Sequence, residues 1–551
     1  MTVSDPLQTA FEHHRAGQLE QAARIYQQLL ADDPNNIRAL HLFGTLMIQA
    51  RRPGDAVGLL RHGAAIAPAS PDIQFALGDA LRMAGDAASA EAAYRQSISL
   101  RPLFPQAHNG LGLALVHQQK LEAAIESWRR AIQLKHDYAE AHANLGAALA
   151  QLEKPSEAAE VLNRAVQLNP NFAPAHNNLA NVLDKLEQTD QAIPHWERAI
   201  ALYPDYFDAL VNLGRTVQRR GQHQRAMDLL DHAVRLKPSD PDARFLRGLA
   251  LLLQGKLTEG FADYAWRMKC AELKIDPRNF REPEWDGSVQ LDKILLLHAE
   301  QGFGDTFQFI RYAPLVRERV GQVVLECQAE LSELLRTVAG IDVIAVRNQG
   351  LPFFDMHIAL LDLPRAMGTT LETIPAFVPY LSADPQRVAA WRALLAMDPP
   401  GRKVGLVWSG NPAHGNDRYR SMSLRELEPL ANVEGVTLYS LQKGAAAAQL
   451  GDSTLNIRPI DHTARLTDFT ETAALLENLD LLITVDTSVA HLAGALGRPA
   501  WLMLPFAPDW RWLLERTDSP WYPTMRLFRQ SAIGQWQPVV KTIVTALEEL
   551  A

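Results

Sequence analysis

One arrangement of small, bulky and proline positions repeats every 34 residues through the first half of the chain and then stops. Small residues stand at Ala10, Gly44, Gly78, Gly112, Gly146, Ala180, Gly214 and Gly248. A second small column runs Ala22, Ala56, Ala90, Ala124, Ala158, Ala192, Ala226 and Gly260. A bulky column runs Tyr26, Leu60, Tyr94, Trp128, Leu162, Trp196, Leu230 and Tyr264. Proline closes most units, at Pro34, Pro68, Pro102, Pro170, Pro204 and Pro238, with His136 the exception. The register predicts eight units over about 3–36, 37–70, 71–104, 105–138, 139–172, 173–206, 207–240 and 241–272. In each, small residues let two antiparallel helices approach closely, and stacking of units supplies the core that one unit lacks. From about residue 290 the period changes. Short apolar runs at Ile294–His298, Val323–Cys327, Asp342–Val346, Val404–Trp408, Thr437–Leu441, Leu481–Val485 and Ala500–Leu504 alternate with helical segments. That alternation predicts parallel sheets covered by helices. Pro399-Pro400-Gly401 divides this half into two lobes.

The 34-residue unit resembles the tetratricopeptide repeat. The expected organisation is therefore α + α/β. A repeat superhelix spans 1–272, a linker 273–289, one Rossmann-like α/β subdomain 290–398 and a second 399–551. A chain of 551 residues has ample material for separate cores. Its net charge of -9 argues against non-specific nucleic-acid binding, which needs clustered Lys and Arg to neutralise phosphates. Two cysteines, Cys270 and Cys327, are too few for a disulfide framework or a thiolate zinc site. No apolar run approaches the roughly 18 residues of a membrane span. The opening residues MTVSDPLQTAFEHHRAG lack the basic and apolar regions of a secretory signal. The expected location is cytoplasmic.

Candidate chemistry lies in both halves. Asn144, Asn178 and Asn212 occupy the sixth position of three consecutive repeats, on the helix that lines the groove. Such an amide ladder suits the backbone of an extended peptide, because each amide both donates and accepts; asparagine is also simply tolerated on a wet helix face. The triplet Asp240-Pro241-Asp242 falls at a turn between repeats, where backbone preference accounts for it.

In the second half, three strand-to-helix junctions carry polar groups. In residues 298–316, Gly302 and Gly304 are expected to allow close ligand approach, and Asp305 stands where a helix begins, as a cap or a functional group. The loop 407–424 brings Asn411, His414, Asn416, Asp417, Arg418 and Arg420 together; guanidinium groups there suit a diphosphate or are solvated charges. Gln442 and Lys443 end another strand. In residues 479–505, a buried strand ends at Asp486, and Thr487 and Ser488 open a small-residue helix carrying His491. The N–H groups and positive dipole end of that helix make an anion site. The aromatic stretch 509–523 is read chiefly as core, with stacking on a base or sugar as the alternative.

The run Asp486-Thr487-Ser488-x-x-His491-Leu-Ala-Gly-Ala-Leu-Gly resembles the nucleotide-sugar motif of the heptosyltransferase-like glycosyltransferases, family 9. Ser488 stands where the family has glycine. Gly304-Asp305 resembles that family's Gly-Asp loop, whose Asp is assigned as catalytic base. The architecture is similar to bacterial repeat-containing glycosyltransferases and, more distantly, to protein O-GlcNAc transferase. The resemblance implies a GT-B fold and transfer of a sugar from a nucleoside-diphosphate sugar to a hydroxyl acceptor, expected to be a protein held in the repeat groove. It implies no cofactor beyond the donor and no metal. Catalytic candidates are Asp305 and His414. Donor-binding candidates are Asn411, Arg420, Gln442, Lys443, Asp486, Thr487, Ser488 and His491. The alternatives are an interaction scaffold with a silent second half, or transfer to a glycan or lipid-linked acceptor.

Overall fold

The computed structural model describes residues 5–276 and 278–550; Pro277, within the expected linker, lies outside them, as do residues 1–4 and 551 of the two end domains. The chain forms two compact units, Met1–Asn212 and Leu213–Ala551.

In the first unit the helices run as antiparallel pairs from Pro6–Arg15 to Thr189–Leu202, each pair packed on the next. The small column exists to receive the bulky one. A Cβ on Gly44 would stand 2.5 Å from Leu60, one on Gly112 2.6 Å from Trp128, and one on Gly146 2.4 Å from Leu162. Leu60, Trp128 and Leu162 are buried as a result. Helix starts are set by Asp5, Asn36, Ser70 and Asp86, whose side chains accept first-turn N–H groups.

The second unit begins with the last repeat helices, including Pro241–Leu253 and Leu257–Tyr264, and continues into two parallel sheets. Asp240 caps the first of these, accepting from the Ala243 N–H at 3.0 Å, which is the turn role expected of the Asp-Pro-Asp triplet. The segment after the repeats is packed: Trp285 is buried, and its backbone N–H donates to the His357 carbonyl at 2.8 Å.

The first sheet comprises β1 (Gln290–His298), β2 (Val320–Cys327), β3 (Val343–Val346) and β4 (Met356–Ala359), in the order β3-β2-β1-β4. The second comprises β5 (Arg402–Val407), β6 (Val436–Ser440), β7 (Ile460–Asp461), β8 (Leu481–Val485), β9 (Ala500–Leu504) and β10 (Met525–Arg529), in the order β10-β9-β8-β5-β6-β7. Every pairing is parallel. Apolar periodicity alone predicts seven of these strands. It misses β4, β7 and β10, because β4 and β10 carry His357, Arg526 and Arg529 within short runs and β7 is two residues long.

The order reverses between β1 and β4 in one sheet and between β5 and β8 in the other. Parallel sheets open a ligand crevice at such points, beyond the carboxyl ends of the strands. The loops after β1, β5 and β8 are the three polar junctions of the sequence.

Candidate active site

The junction after β8 is built as a helix tip. β8 is buried throughout, and Thr487 is the N-cap of the helix Ser488–Ala495. Ser488 takes a helical conformation and is not among the residues with positive φ, so serine replaces the family glycine there without backbone strain. Residues 486–489 are partly exposed, while Ala490 to Ala495 are buried against the sheet. The tip therefore opens outward; the Ala490 N–H donates to the Thr487 carbonyl at 3.1 Å, and the Ser488 and Val489 N–H groups have no preceding helix carbonyl to reach.

His491, one turn in, is buried. Its Nδ1 lies 2.9 Å from the Tyr522 hydroxyl, and its Nε2 is 3.7 Å from Asp486 Oδ1. Trp512 stacks on its ring at 5.4 Å between centroids. Desolvation, then the charges of Arg511, Arg311 and Arg420, hold its pKa well below the usual histidine range, so the ring is neutral. Asp486 accepts the Trp512 indole N–H at 3.0 Å. Burial, followed by the charge of Asp509, pushes its carboxyl up to about 6, against the opposing pull of the Trp512 bond, Arg420 and Arg511.

The loop after β5 approaches the same region. Arg420 lies near enough to act on both His491 and Asp486, and its Nε is 3.2 Å from Asp417 Oδ1. Gly410 leaves room for this pair: a Cβ there would lie 2.5 Å from Asp417 and 2.7 Å from Arg420. His414 is exposed on the loop, and its Nδ1 accepts the Asn416 N–H at 3.3 Å. Partial desolvation and then Arg420 lower its pKa, while Asp509, Asp417 and Asp305 oppose that. Asn411 is turned to its own loop, accepting the Ala413 N–H at 3.0 Å, and Arg418 donates to the Tyr419 hydroxyl at 2.7 Å.

From the first sheet, the helix Phe303–Phe309 carries Asp305 to this place. Asp305 Oδ2 accepts the Gly302 N–H at 3.0 Å, the capping role, while Oδ1 pairs with the Arg511 guanidinium. Arg511 was not among the sequence candidates. It is buried and also bonds Asp509 at 2.9 Å and the Gln308 amide oxygen at 2.5 Å. Its neighbours Trp510, Trp512 and Trp521 are buried, so the aromatic stretch is core, with Trp512 serving Asp486 as well.

Two expectations are revised. Gly304 does not leave space for a ligand, since its Cβ would lie 2.8 Å from the His491 ring; it is small so that the two helices can meet. Gln442 is not available to a nucleotide. It is buried, and its amide oxygen accepts the Trp408 and Ser409 N–H groups at 3.0 and 2.9 Å. Its amide nitrogen donates to the Ser409 and Lys443 carbonyls at 3.0 and 2.8 Å, so four bonds exhaust it and shape the β5 loop. The Lys443 ammonium donates to the Leu466 carbonyl at 2.5 Å.

In the first unit, Asn144 and Asn212 are cross-linked to other asparagines. Asn144 donates to Asn109 and Asn212 to Asn181, each at 3.0 Å. Asn181 also accepts the Trp196 indole N–H at 2.9 Å, and Asn178 accepts from Asn177 at 3.5 Å.

Comparison with known proteins finds a likeness in each half. Tetratricopeptide repeat models match residues 13–80, 112–153, 139–172, 177–241 and 218–265. The glycosyltransferase family 9 (heptosyltransferase) model matches residues 446–501, which include the helix tip and His491. Residues 446–501 are thus similar to glycosyltransferase family 9, and much of 13–265 is similar to tetratricopeptide repeats. It is 32% identical to protein FlbA of Caulobacter vibrioides over 336 residues, 56% of this chain and 55% of FlbA. The chain spans about half the length of that curated relative. Among solved structures, MamA is 24% identical with a TM-score of 0.28, over 30% of this chain and 96% of MamA. The Cut9–Hcn1 complex is 17% identical with a TM-score of 0.39, over 46% of this chain and 49% of that one. Among the described residues, no helix is long and apolar enough to cross a membrane.

Proposed function

We propose that the α/β half is a GT-B-type glycosyltransferase that moves a sugar from a nucleoside-diphosphate sugar to a hydroxyl acceptor, with the repeats presenting a protein acceptor. The observation that carries this reading is convergence. The loops after β1, β5, β8 and β9 bring Asp305, Arg420, Asp486, His491 and Arg511 to one outward-facing helix tip. They do so at the order reversals of two parallel sheets.

The chemistry requires charge to be absorbed on the departing diphosphate as the bond from the anomeric carbon breaks. Arg420 and the N–H groups opening the Ser488–Ala495 helix supply that stabilisation from fixed positions. Neutral His491 offers a hydrogen bond without adding charge. The acceptor oxygen forms the new bond to the anomeric carbon, and its proton passes to a carboxylate. Asp305 is assigned that role, oriented by Gly302 and Arg511 on separate oxygens; His414 on the facing loop is the other candidate.

A thermal-shift screen with UDP-, GDP-, ADP- and CMP-linked sugars tests the reading, because a ligand of the native state raises its stability by mass action. One class should stabilise the chain. Arg420→Ala should weaken that nucleotide at least tenfold by calorimetry, and Asp305→Asn should abolish transfer with binding intact. If none of the four classes binds, the transferase reading fails and an interaction scaffold takes its place.

A further inference from the structure

The carboxyl ends of β1 and β4 lie side by side at the order reversal of the first sheet, where such folds open a crevice. Here a side chain from the end of the repeats fills it. Arg267, in the short 3-10 turn Ala265–Lys269 after the last repeat helix, is completely buried. Its guanidinium makes a two-pronged bond to Asp362, just after β4, with both distances 2.9 Å. The same group reaches Glu300, just after β1, at 2.7 Å. Glu300 stands two residues before Gly302, whose N–H is held by Asp305.

A second arm leaves the same helix end. Phe261 and Tyr264 pack on Trp510 with ring centroids 5.5 and 5.9 Å apart. The Trp510 ring lies 4.6 Å beneath the Arg511 guanidinium, which pairs with Asp305. Both arms therefore end on the loop that carries Asp305.

Stability alone is a poor reason for such a cluster. Glu300 and Asp362 share the Arg267 guanidinium, with Arg365 3.8 Å from Asp362 as a second cation, and a buried ion pair often contributes no more than an apolar replacement. Burial pushes Glu300 up to about 7; the Arg267 charge restrains that rise and Asp362 adds to it. What the cluster does specify is geometry.

We propose that the last repeat pair is a working part of the transferase site, with Arg267 a positioning residue that holds the Gly302–Asp305 loop through Glu300. The assignment rests on the transferase reading for its catalytic meaning. Hydrogen exchange of the full-length chain, without substrate, tests the geometry separately. Arg267→Met should raise exchange of the amides at 301–306 at least tenfold, with 481–496 unchanged, and Arg267→Lys should restore part of the protection. Glu300→Leu keeps the bulk and the Arg267–Asp362 bond, and should loosen the same amides even if Arg267→Met does not fold. With whichever of the UDP-, GDP-, ADP- and CMP-linked sugars is turned over, both variants should lower kcat at least tenfold and leave donor KM within twofold. Unchanged exchange at 301–306 overturns the proposal, as does a loosened loop with unchanged kcat. If the wild-type chain turns over none of the four, the transferase reading falls, and the exchange result alone decides whether Arg267 holds the loop.

Discussion

A carboxylate beside the N-terminus of a helix is normally stabilised as the anion, by roughly 0.3–1 kcal/mol. Asp486 departs from this because desolvation and the charge of Asp509 outweigh the dipole, leaving its pKa near 6. The sign of the consequence follows directly. The folded value lies above the unfolded value of 3.8, so between about pH 4 and 6 the native chain holds a proton that the unfolded chain has lost. Stability therefore falls as pH rises through that window. Asp486→Asn should reduce the slope, leaving the share that Glu300 contributes up to about pH 7, and raise stability at pH 8 by about 1–3 kcal/mol, as read from denaturant titrations at pH 4, 6 and 8. A slope unchanged in the variant would assign the titration elsewhere. The placement of Asp486 and His491 at one helix tip, set by a short run, was legible in the sequence. Arg511 was not, since nothing local indicates that it pairs with Asp305, 206 residues earlier. Gln442 misled for the converse reason: a polar residue at a strand end reads as a ligand until its four internal bonds are seen.

At the scale of the element, the repeat carries a column that neither apolar nor small residues reveal. The turn between the two helices of each unit holds a residue with positive φ, at Gly17, Arg51, Gly85, Gln119, Glu153, Glu187, Gly221 and Gly255. Four of these eight are not glycine. Left-handed backbone costs such residues about 1–2 kcal/mol, partly offset by the greater unfolded-state entropy of glycine. Arg51→Gly, Gln119→Gly and Glu187→Gly should each stabilise the chain by about 0.5–1 kcal/mol, measured by the urea midpoint. A lower midpoint would mean that the side chain is worth more than the strain. The 34-residue spacing was plain because the column contacts Gly44–Leu60, Gly78–Tyr94, Gly112–Trp128 and Gly146–Leu162 each join helices of the same unit. The strands β4 and β10 were obscure because His357, Arg526 and Arg529 interrupt their short apolar runs.

At the largest scale, the decisive feature is a hydrophobic core that the last repeat shares with the sheets of the second unit. Leu252, Leu257, Phe261 and Tyr264 of the last repeat belong to the same cluster as Leu295, Phe307 and Trp510 of the sheets. Residues 207–551 expressed alone should therefore stay soluble and melt cooperatively, whereas residues 273–551 should aggregate or lose their near-ultraviolet circular dichroism. A well-folded 273–551 would show that the sheets do not need the repeat cap. The chain's own pattern determined the repeat length, the α/β alternation and the Asp486–His491 helix tip, since each depends on contacts a few residues to one unit apart. Tertiary structure alone decided that Arg511 meets Asp305, that Gly304 makes way for His491, and that Arg267 fills the crevice between β1 and β4. Those contacts join segments tens to hundreds of residues apart, and only the order of strands in the two sheets brings them together.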